Sequence, residues 1–356
     1  MPEPTAVRRL TKKTLVTVSH ALEQAALAAA EDGPMVVIAL FQRLPYFDRE
    51  RRVYERIAQQ ATATVVGLVA AQAPEVPAGA YAVLLDEKEE LAREWTVVVL
   101  TPRFGALLVA EDLEEVQPGT TTLESGRVFA GRTSMRRDEA LHEVLRLRDR
   151  LAGRLSPAAQ DAVEAVVGRV RELPATPGES RADAMLHLFA AQAERDHTRL
   201  RTRNPATDLA DEPGIRQWSG AEGVTASGVL PVAVLAVRIT HAAGGQQGPI
   251  GRTATRQQQA AVELLVTRLR PADRAMKASD NDFTLFLPAR SHDDAVAFAY
   301  QLVNDFAEAA QRSAFLSATV TVALTVTRSR PLPENELRQA LAWALERNAP
   351  VVTING

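Results

Sequence analysis

The chain has 356 residues, room for about two ordinary domains, and its 46% hydrophobic and 24% charged content is that of a folded globular protein. Lys plus Arg number 41 against 44 Asp plus Glu, a formal charge of -3, which argues against a chain-wide electrostatic grip on nucleic acid. There is no cysteine, which excludes disulfides, thiolate zinc sites, iron–sulfur clusters and cysteine nucleophiles together.

The opening from Met1 to Thr14 is polar and basic and leads into no long apolar region. The apolar stretches Met35–Phe41, Trp95–Leu100 and Ala106–Ala110 are of strand length, short of the ~18 residues a membrane span needs. No membrane segment is expected, and cytoplasmic residence is the default. In chain order, Lys13–Glu31 carries Leu15, Val18, Leu22, Ala25, Ala26 and Ala29 at helical spacing and ends at Asp32–Gly33–Pro34. Met35–Phe41 reads as a buried strand and Asp48–Gln60 as a helix. Ala63–Ala70 and Ala80–Leu85 are β-rich, Glu87–Arg93 is a short charged helix, and Trp95–Thr101 is another buried strand. Arg103–Glu111 and Gly126–Gly131 complete the β content. This alternation predicts an α/β layer with helices packed on a sheet.

From Arg136 to Leu173 the spacing is helical, through Leu141, Val144, Leu145 and Leu151 and then Val163, Val166, Val167 and Val170, around a break at Ser156–Pro157. Leu173–Ser180, with two prolines and a glycine, is the best linker candidate. A helix over Arg181–Thr202 follows. Its stripe of Leu186, Phe189, Ala190 and Ala193 is expected to dock on the globular part that follows, the alternative being a partner helix. Ala243–Gln258, rich in Gly, Gln and Thr, reads as a low-complexity loop, and no internal repeat is present.

The second half carries an ordered set of blocks: Asn204–Pro205–Ala206–Thr207–Asp208–Leu209, the strand Val232–Ile239, the helix Gln257–Leu269, the run Arg270–Pro271–Ala272–Asp273, and the hairpin Met276–Pro288 around Ser279–Asp280–Asn281–Asp282–Phe283. The helix Asp293–Ala310, the strand Ala318–Val326 and Ala342–Glu346 follow. In order and spacing these blocks resemble the GGDEF domain of diguanylate cyclases, from about Asn204 onward. The resemblance implies a central mixed sheet flanked by helices.

The signature turn departs from the family's Gly-Gly-Asp/Glu-Glu-Phe. Ser279 and Asp280 replace glycines that let a turn approach a nucleotide closely, and Asp280 adds a negative charge facing a triphosphate. Asn281 is neutral where the family supplies a magnesium carboxylate, and Asp282 keeps a carboxylate one methylene shorter. Counted back from Arg270, the family's first-strand metal-binding aspartate falls on Arg238, whose guanidinium repels Mg²⁺ at any ordinary pH. The family's substrate-contacting Asn and Asp fall on Gln246 and Thr255. Phosphoryl transfer rests on positioning and charge neutralisation by metal, so no cyclase activity, metal or cofactor is expected.

The family's R-x-x-D motif survives as Arg270 and Asp273, with Arg274 a second cation beside it. By resemblance this set binds cyclic di-GMP, the Arg fork on a guanine edge or phosphate and the carboxylate on guanine N–H groups. The alternative is a surface pair of little energetic weight, and the family's second arginine falls on Gln301. The six histidines (His20, His142, His187, His197, His241, His292) are scattered without metal-ligand spacing. Ser19–His20 and Asp293–Asp294 have no third partner in sequence. Gly244, Gly245 and Gly248 are followed by no P-loop lysine, and the arginines of Arg136–Arg154 are interleaved with acids.

In the first half, Thr11–Lys12–Lys13–Thr14–Leu15, Ser19–His20–Ala21–Leu22–Glu23, Phe41–Gln42 and Arg93–Glu94–Trp95 resemble the DICT sensory domain, over roughly Thr11 to Leu151. The resemblance implies signal sensing, with Trp95, Phe104 and Phe129 as possible pocket walls. The expected architecture is α/β (α+β): a DICT-like α/β sensor over 11–151, a helical linker over 152–203 and a degenerate GGDEF-like domain over 204–356. The expected protein is a non-catalytic bacterial regulator, a homodimer with an unidentified protein partner, contacting neither membrane nor nucleic acid. A scaffold without nucleotide binding and a residual diguanylate cyclase are the alternatives.

Overall fold

The computed structural model describes residues 6–29, 32–70, 72–120, 122–174, 178–199, 209–220, 230–241, 250–312 and 318–355. The chain divides into two compact units, one of residues 1–113 and 127–200, the other of residues 114–126 and 201–356.

The first unit is built on seven strands: β1 (Arg8–Thr11), β2 (Val36–Arg43), β3 (Ala63–Val69), β4 (Ala80–Leu84), β5 (Glu94–Leu100), β6 (Gly105–Val116) and β7 (Arg127–Ser134). They form one mixed sheet in the order β1-β7-β6-β5-β2-β3-β4. The β2–β3 and β3–β4 pairs are parallel, while β2–β5, β5–β6 and β1–β7 are antiparallel. Its helices are α1 (Lys12–Ala28), α2 (Leu44–Gln60), α3 (Arg137–Leu151), α4 (Pro157–Glu172) and α5 (Glu179–Arg199). The continuous apolar run of β2 follows from burial on both faces. Val37, Ala39 and Phe41 join Leu15, Val18, Leu22, Phe47, Tyr54 and Ile57 of α1 and α2. Val36, Ile38 and Leu40 alternate onto the opposite face with Val144, Leu147, Val163 and Val167 of α3 and α4. Gly105 opens β6 where a Cβ would stand 2.4 Å from Arg137 Cα at the start of α3, so only glycine lets strand and helix approach this closely.

Three expectations change here. The segment 152–203, read as a linker, supplies α4 and α5 to the first unit. A sheet with two apolar faces needs both covered, and α3 alone does not cover the second. The stripe on α5 also turns inward on this unit: Leu186 and Ala190 lie in the core with α1 and Phe129. Met185, Leu188 and Phe189 stay exposed. Glu87–Arg93 shortens to one 3₁₀ turn, Glu90–Arg93.

The second unit contains α6 (Glu212–Ser219), β8 (Val232–His241), α7 (Ile250–Thr267), β9 (Arg274–Lys277), β10 (Asp282–Pro288), α8 (His292–Arg312), β11 (Ala318–Thr327), α9 (Glu334–Glu346) and β12 (Val351–Thr353). Its mixed sheet has the order β12-β11-β8-β10-β9, antiparallel except for β11–β12. One face buries Leu235, Val237, Phe283 and Leu285 against Leu265 of α7 and Phe298, Leu302 and Phe306 of α8. The other buries Val234, Ala236 and Phe286 against Trp218 of α6 and Leu337 and Leu341 of α9, with Leu123 of the 114–126 segment. The loop expected over Ala243–Gln258 is helical from Ile250; Gln246 lies outside the described residues and Thr255 falls within α7. Asn204–Asp208 also lies outside them. α6, only eight residues long, is too short to show a helical period in sequence, although its end signals are complete: an Asp211 N-cap accepting from the Gly214 N–H, Pro213 in the first turn, and Gly220 left-handed at φ 72.

Candidate functional site

The signature turn joins β9 to β10. None of the described residues 278–282 has a positive φ, so the turn does not need the glycines that Ser279 and Asp280 replace. Ser279 instead closes it with its side chain: Oγ accepts from the Asp282 N–H at 3.1 Å and donates to Asp282 Oδ2 at 2.7 Å. Asp280 points outward to Lys277 Nζ at 2.8 Å, which lowers its pKa. Asn281 accepts the Ile239 N–H at its carbonyl, tying the turn to β8. Phe283 is buried in the core.

Antiparallel register places Arg238 of β8 opposite Asp282 of β10. The guanidinium meets the carboxylate with two parallel bonds, Nε to Oδ1 and Nη2 to Oδ2, the latter at 2.8 Å. Burial opposes ionisation of Asp282, but the Arg238 and Ser279 bonds outweigh it and hold the carboxyl below its usual range. The Asp282 carboxylate is thus neutralised by Arg238, the residue at the expected metal position. A cleft of about 420 Å³ beside this pair is lined by Arg238, Asp282, Thr284, Arg338 and Leu345.

The R-x-x-D motif lies at the end of α7. Asp273 is 0% exposed. Its carboxylate accepts the Arg270 backbone N–H at 2.8 Å and the Arg270 guanidinium at 3.0 Å, with Arg290 Nη2 at 3.6 Å. Arg270 also donates to the Pro288 carbonyl at 2.6 Å and keeps 44% of its side chain exposed. Arg274 turns inward, bonded to the Asp273 and Pro271 carbonyls and stacked over Trp218 at 5.4 Å. Burial lowers its pKa, with Asp273 opposing. Of the three motif residues, Arg270 alone presents an exposed polar group.

A second constellation lies in the first unit, where Ser19–His20 has no third partner in sequence. His20 and Glu23 sit three apart on one face of α1, and Glu50 comes from α2; one ligand atom of each lies within 4.8 Å of the others. His20 Nε2 is 3.1 Å from Glu50 Oε1. Glu23 is 1% exposed. Its Oε1 accepts from Ser19 Oγ and Tyr54 OH, both at 3.2 Å, and its Oε2 has no partner among the described residues. Burial, and then the charge of Glu50, push the Glu23 carboxyl up to about 7. A cavity of about 80 Å³ adjoins the group, lined by His20, Glu50, Lys12, Tyr46, Arg49 and Trp95 among others. Trp95 Nε1 is buried without a partner among the described residues. Trp95 therefore does wall a cavity, while Phe129 is core, edge-on to Trp95 at 6.1 Å, and Phe104 packs at the core's margin. The His-x-x-Glu spacing was legible in sequence; Glu50, on another helix, had no local signal. Among the other histidines, His187 Nε2 bonds the Thr133 carbonyl at 2.8 Å.

Residues 2–113 match the DICT family, described as a sensory domain in diguanylate cyclases and two-component systems. The N-terminal part of the chain is DICT-like. No curated protein matches the chain at a significant level. Among solved structures, the chain is similar to the GGDEF domain of DgcB from Caulobacter crescentus in complex with c-di-GMP, at 12% identity over 43% of this chain and 95% of that one, with a TM-score of 0.35. It is similar to the diguanylate cyclase SiaD in complex with its activator SiaC from Pseudomonas aeruginosa, at 17% identity over 62% and 88%, TM-score 0.33. It is also similar to PelD 158-CT from Pseudomonas aeruginosa PAO1, at 14% identity over 96% and 91%, TM-score 0.26. Among the described residues no helix is long and apolar enough to cross a membrane.

Proposed function

We propose that this chain is a non-catalytic bacterial signalling protein, cytoplasmic, in which a DICT-like sensor is coupled to an inactive GGDEF-like domain. The Arg238–Asp282 pair carries the reading. Phosphoryl transfer of this class needs metal held by carboxylates against a triphosphate. Here the Asp282 carboxylate is bound on both oxygens by a guanidinium that is itself held more firmly charged by the contact. A divalent cation would have to displace an arginine to reach it. With GTP and either Mg²⁺ or Mn²⁺ at excess enzyme, the full chain is expected to form no cyclic di-GMP in a chromatographic product assay. Formation of product proportional to enzyme overturns the reading and restores the cyclase alternative.

Output through a protein contact, without nucleotide binding, is favoured over a cyclic di-GMP receptor by one observation: the carboxylate that the receptor reading assigns to guanine is fully buried and already bonded. The exposed Met185, Leu188 and Phe189 of α5 offer the expected partner, a second copy included, an apolar contact. Calorimetric titration of the full chain with cyclic di-GMP is expected to give no heat at high micromolar ligand. Heat that disappears in Arg270→Ala establishes the receptor reading instead.

A further inference from the structure

We propose that His20, Glu23 and Glu50 form a binding site for a divalent transition-metal cation of the Zn²⁺ type, open on one side to the cavity that His20 and Glu50 line. The site concerns α1 and α2 alone and stands whether or not the second unit is catalytic.

Two observations meet here. The first is the donor set. An imidazole nitrogen and two carboxylates converge from two helices, each offering an atom within 4.8 Å of the others. Metal–ligand distances of ~2.0–2.2 Å bring such atoms to about 3–3.5 Å apart, so the set has to contract. His20 and Glu50, with side chains 50% and 24% exposed, have the freedom to do this by rotation, and Glu23 can stay where Ser19 and Tyr54 hold it. The second is the buried oxygen. Glu23 is the buried member of the three, and its Oε2 has no hydrogen-bond partner among the described residues, a costly state for a carboxylate in a protein interior. Glu50 brings a second carboxylate oxygen within 4.8 Å of the Glu23 carboxylate. A cation between the two carboxylates gives the oxygen its partner and removes the repulsion at once.

The chemistry of the donors selects the metal. Imidazole with carboxylates suits Zn²⁺, Mn²⁺, Co²⁺ or Ni²⁺, whereas Mg²⁺ and Ca²⁺ prefer sites built wholly of oxygen. Three protein donors leave a fourth position open, the arrangement of a site that exchanges ligands. That position faces a cavity also lined by Lys12 and Arg49. These cations reduce affinity for a bare dication and favour water or a small anion at the open position.

The test uses the full chain, stripped with a chelator and titrated with ZnCl₂ in a calorimeter, then melted with and without metal. One equivalent is expected to bind, and at roughly a hundredfold excess over Kd the first unit's melting temperature is expected to rise by about 5–10 °C. His20→Ala and Glu50→Ala, at partly exposed positions, are expected to fold and to weaken binding by at least about tenfold; Glu23→Gln, nearly isosteric, is expected to do the same. No binding at millimolar Zn²⁺, unchanged affinity in both His20→Ala and Glu50→Ala, or Mg²⁺ binding as tightly as Zn²⁺ would each overturn the site, leaving a histidine–carboxylate ion pair. The cyclase assay reads none of these quantities, so the two proposals fail separately.

Discussion

Asp112→Ala is expected to cost the first unit about 3–5 kcal/mol. Arg127 is 0% exposed and Asp112 1%. The Arg127 Nη2 group bonds Asp112 Oδ2 and also donates to Gln42 Oε1 at 2.9 Å, while Nη1 reaches Tyr46 OH at 3.2 Å. The guanidinium stacks over Phe129 at 5.0 Å. Removing the carboxylate takes an ion-pair partner from a permanently charged group that is wholly buried, and arginine does not escape by losing its proton. For a unit of this size the loss corresponds to a fall of roughly 10 °C in its melting temperature, read by scanning calorimetry on the full chain. Glu172→Gln, which breaks the exposed Arg169–Glu172 pair, is expected to change stability by less than about 0.5 kcal/mol. The double variant Asp112→Leu with Arg127→Met is expected to regain most of the loss, because it removes both desolvated charges. A loss below about 1 kcal/mol for Asp112→Ala would mean that water reaches the pair.

Much of this architecture was legible because buried strands and amphipathic helices write their periods into the chain. Met35–Phe41 showed itself as a strand covered on both sides, and Leu15, Val18 and Leu22 marked the inner face of α1. The allocation of helices was not legible, because α4 and α5 carry apolar stripes that say only that something covers them, and Leu186 packs against strands more than fifty residues earlier. The candidate sites divide in the same way. Arg238 and Asp282 were each suspicious by type and position, yet their bidentate pairing depends on a register between strands 44 residues apart. The burial of Asp273 could not be read at all, since Asp in a Pro-Ala-Asp-Arg run has the composition of an exposed turn. Glu50 reached His20 and Glu23 only through the packing of α2 on α1.

Asp273→Ala separates a ligand contact from a structural one, and the geometry predicts the structural outcome. The carboxylate closes the turn after α7 by accepting the Arg270 N–H, and it faces two guanidinium groups, Arg270 at 3.0 Å and Arg290 at 3.6 Å. Arg290 is itself largely buried, lies over the Phe298 ring at 4.9 Å, and has its pKa lowered by burial and then by the charge of Arg270, with Asp273 opposing both. Without Asp273 these two cations face each other with only the Asp294 charge left to oppose the repulsion at Arg290, and the Arg270 N–H loses its acceptor. The expected cost to the second unit is about 3 kcal/mol. Arg270→Ala removes an exposed partner and leaves Arg290 beside the carboxylate, so its cost is expected to stay near 1 kcal/mol. This asymmetry distinguishes the two roles. A residue kept for guanine would lose ligand without moving the melting temperature, and Arg270 would matter as much as Asp273. If Asp273→Ala melts with the wild type while abolishing a cyclic di-GMP titration, the carboxylate leaves its internal partners for a ligand and the receptor reading stands. If the second unit alone is weakened, Asp273 is the brace that aims Arg270 outward, and whatever meets this surface does so through the arginine.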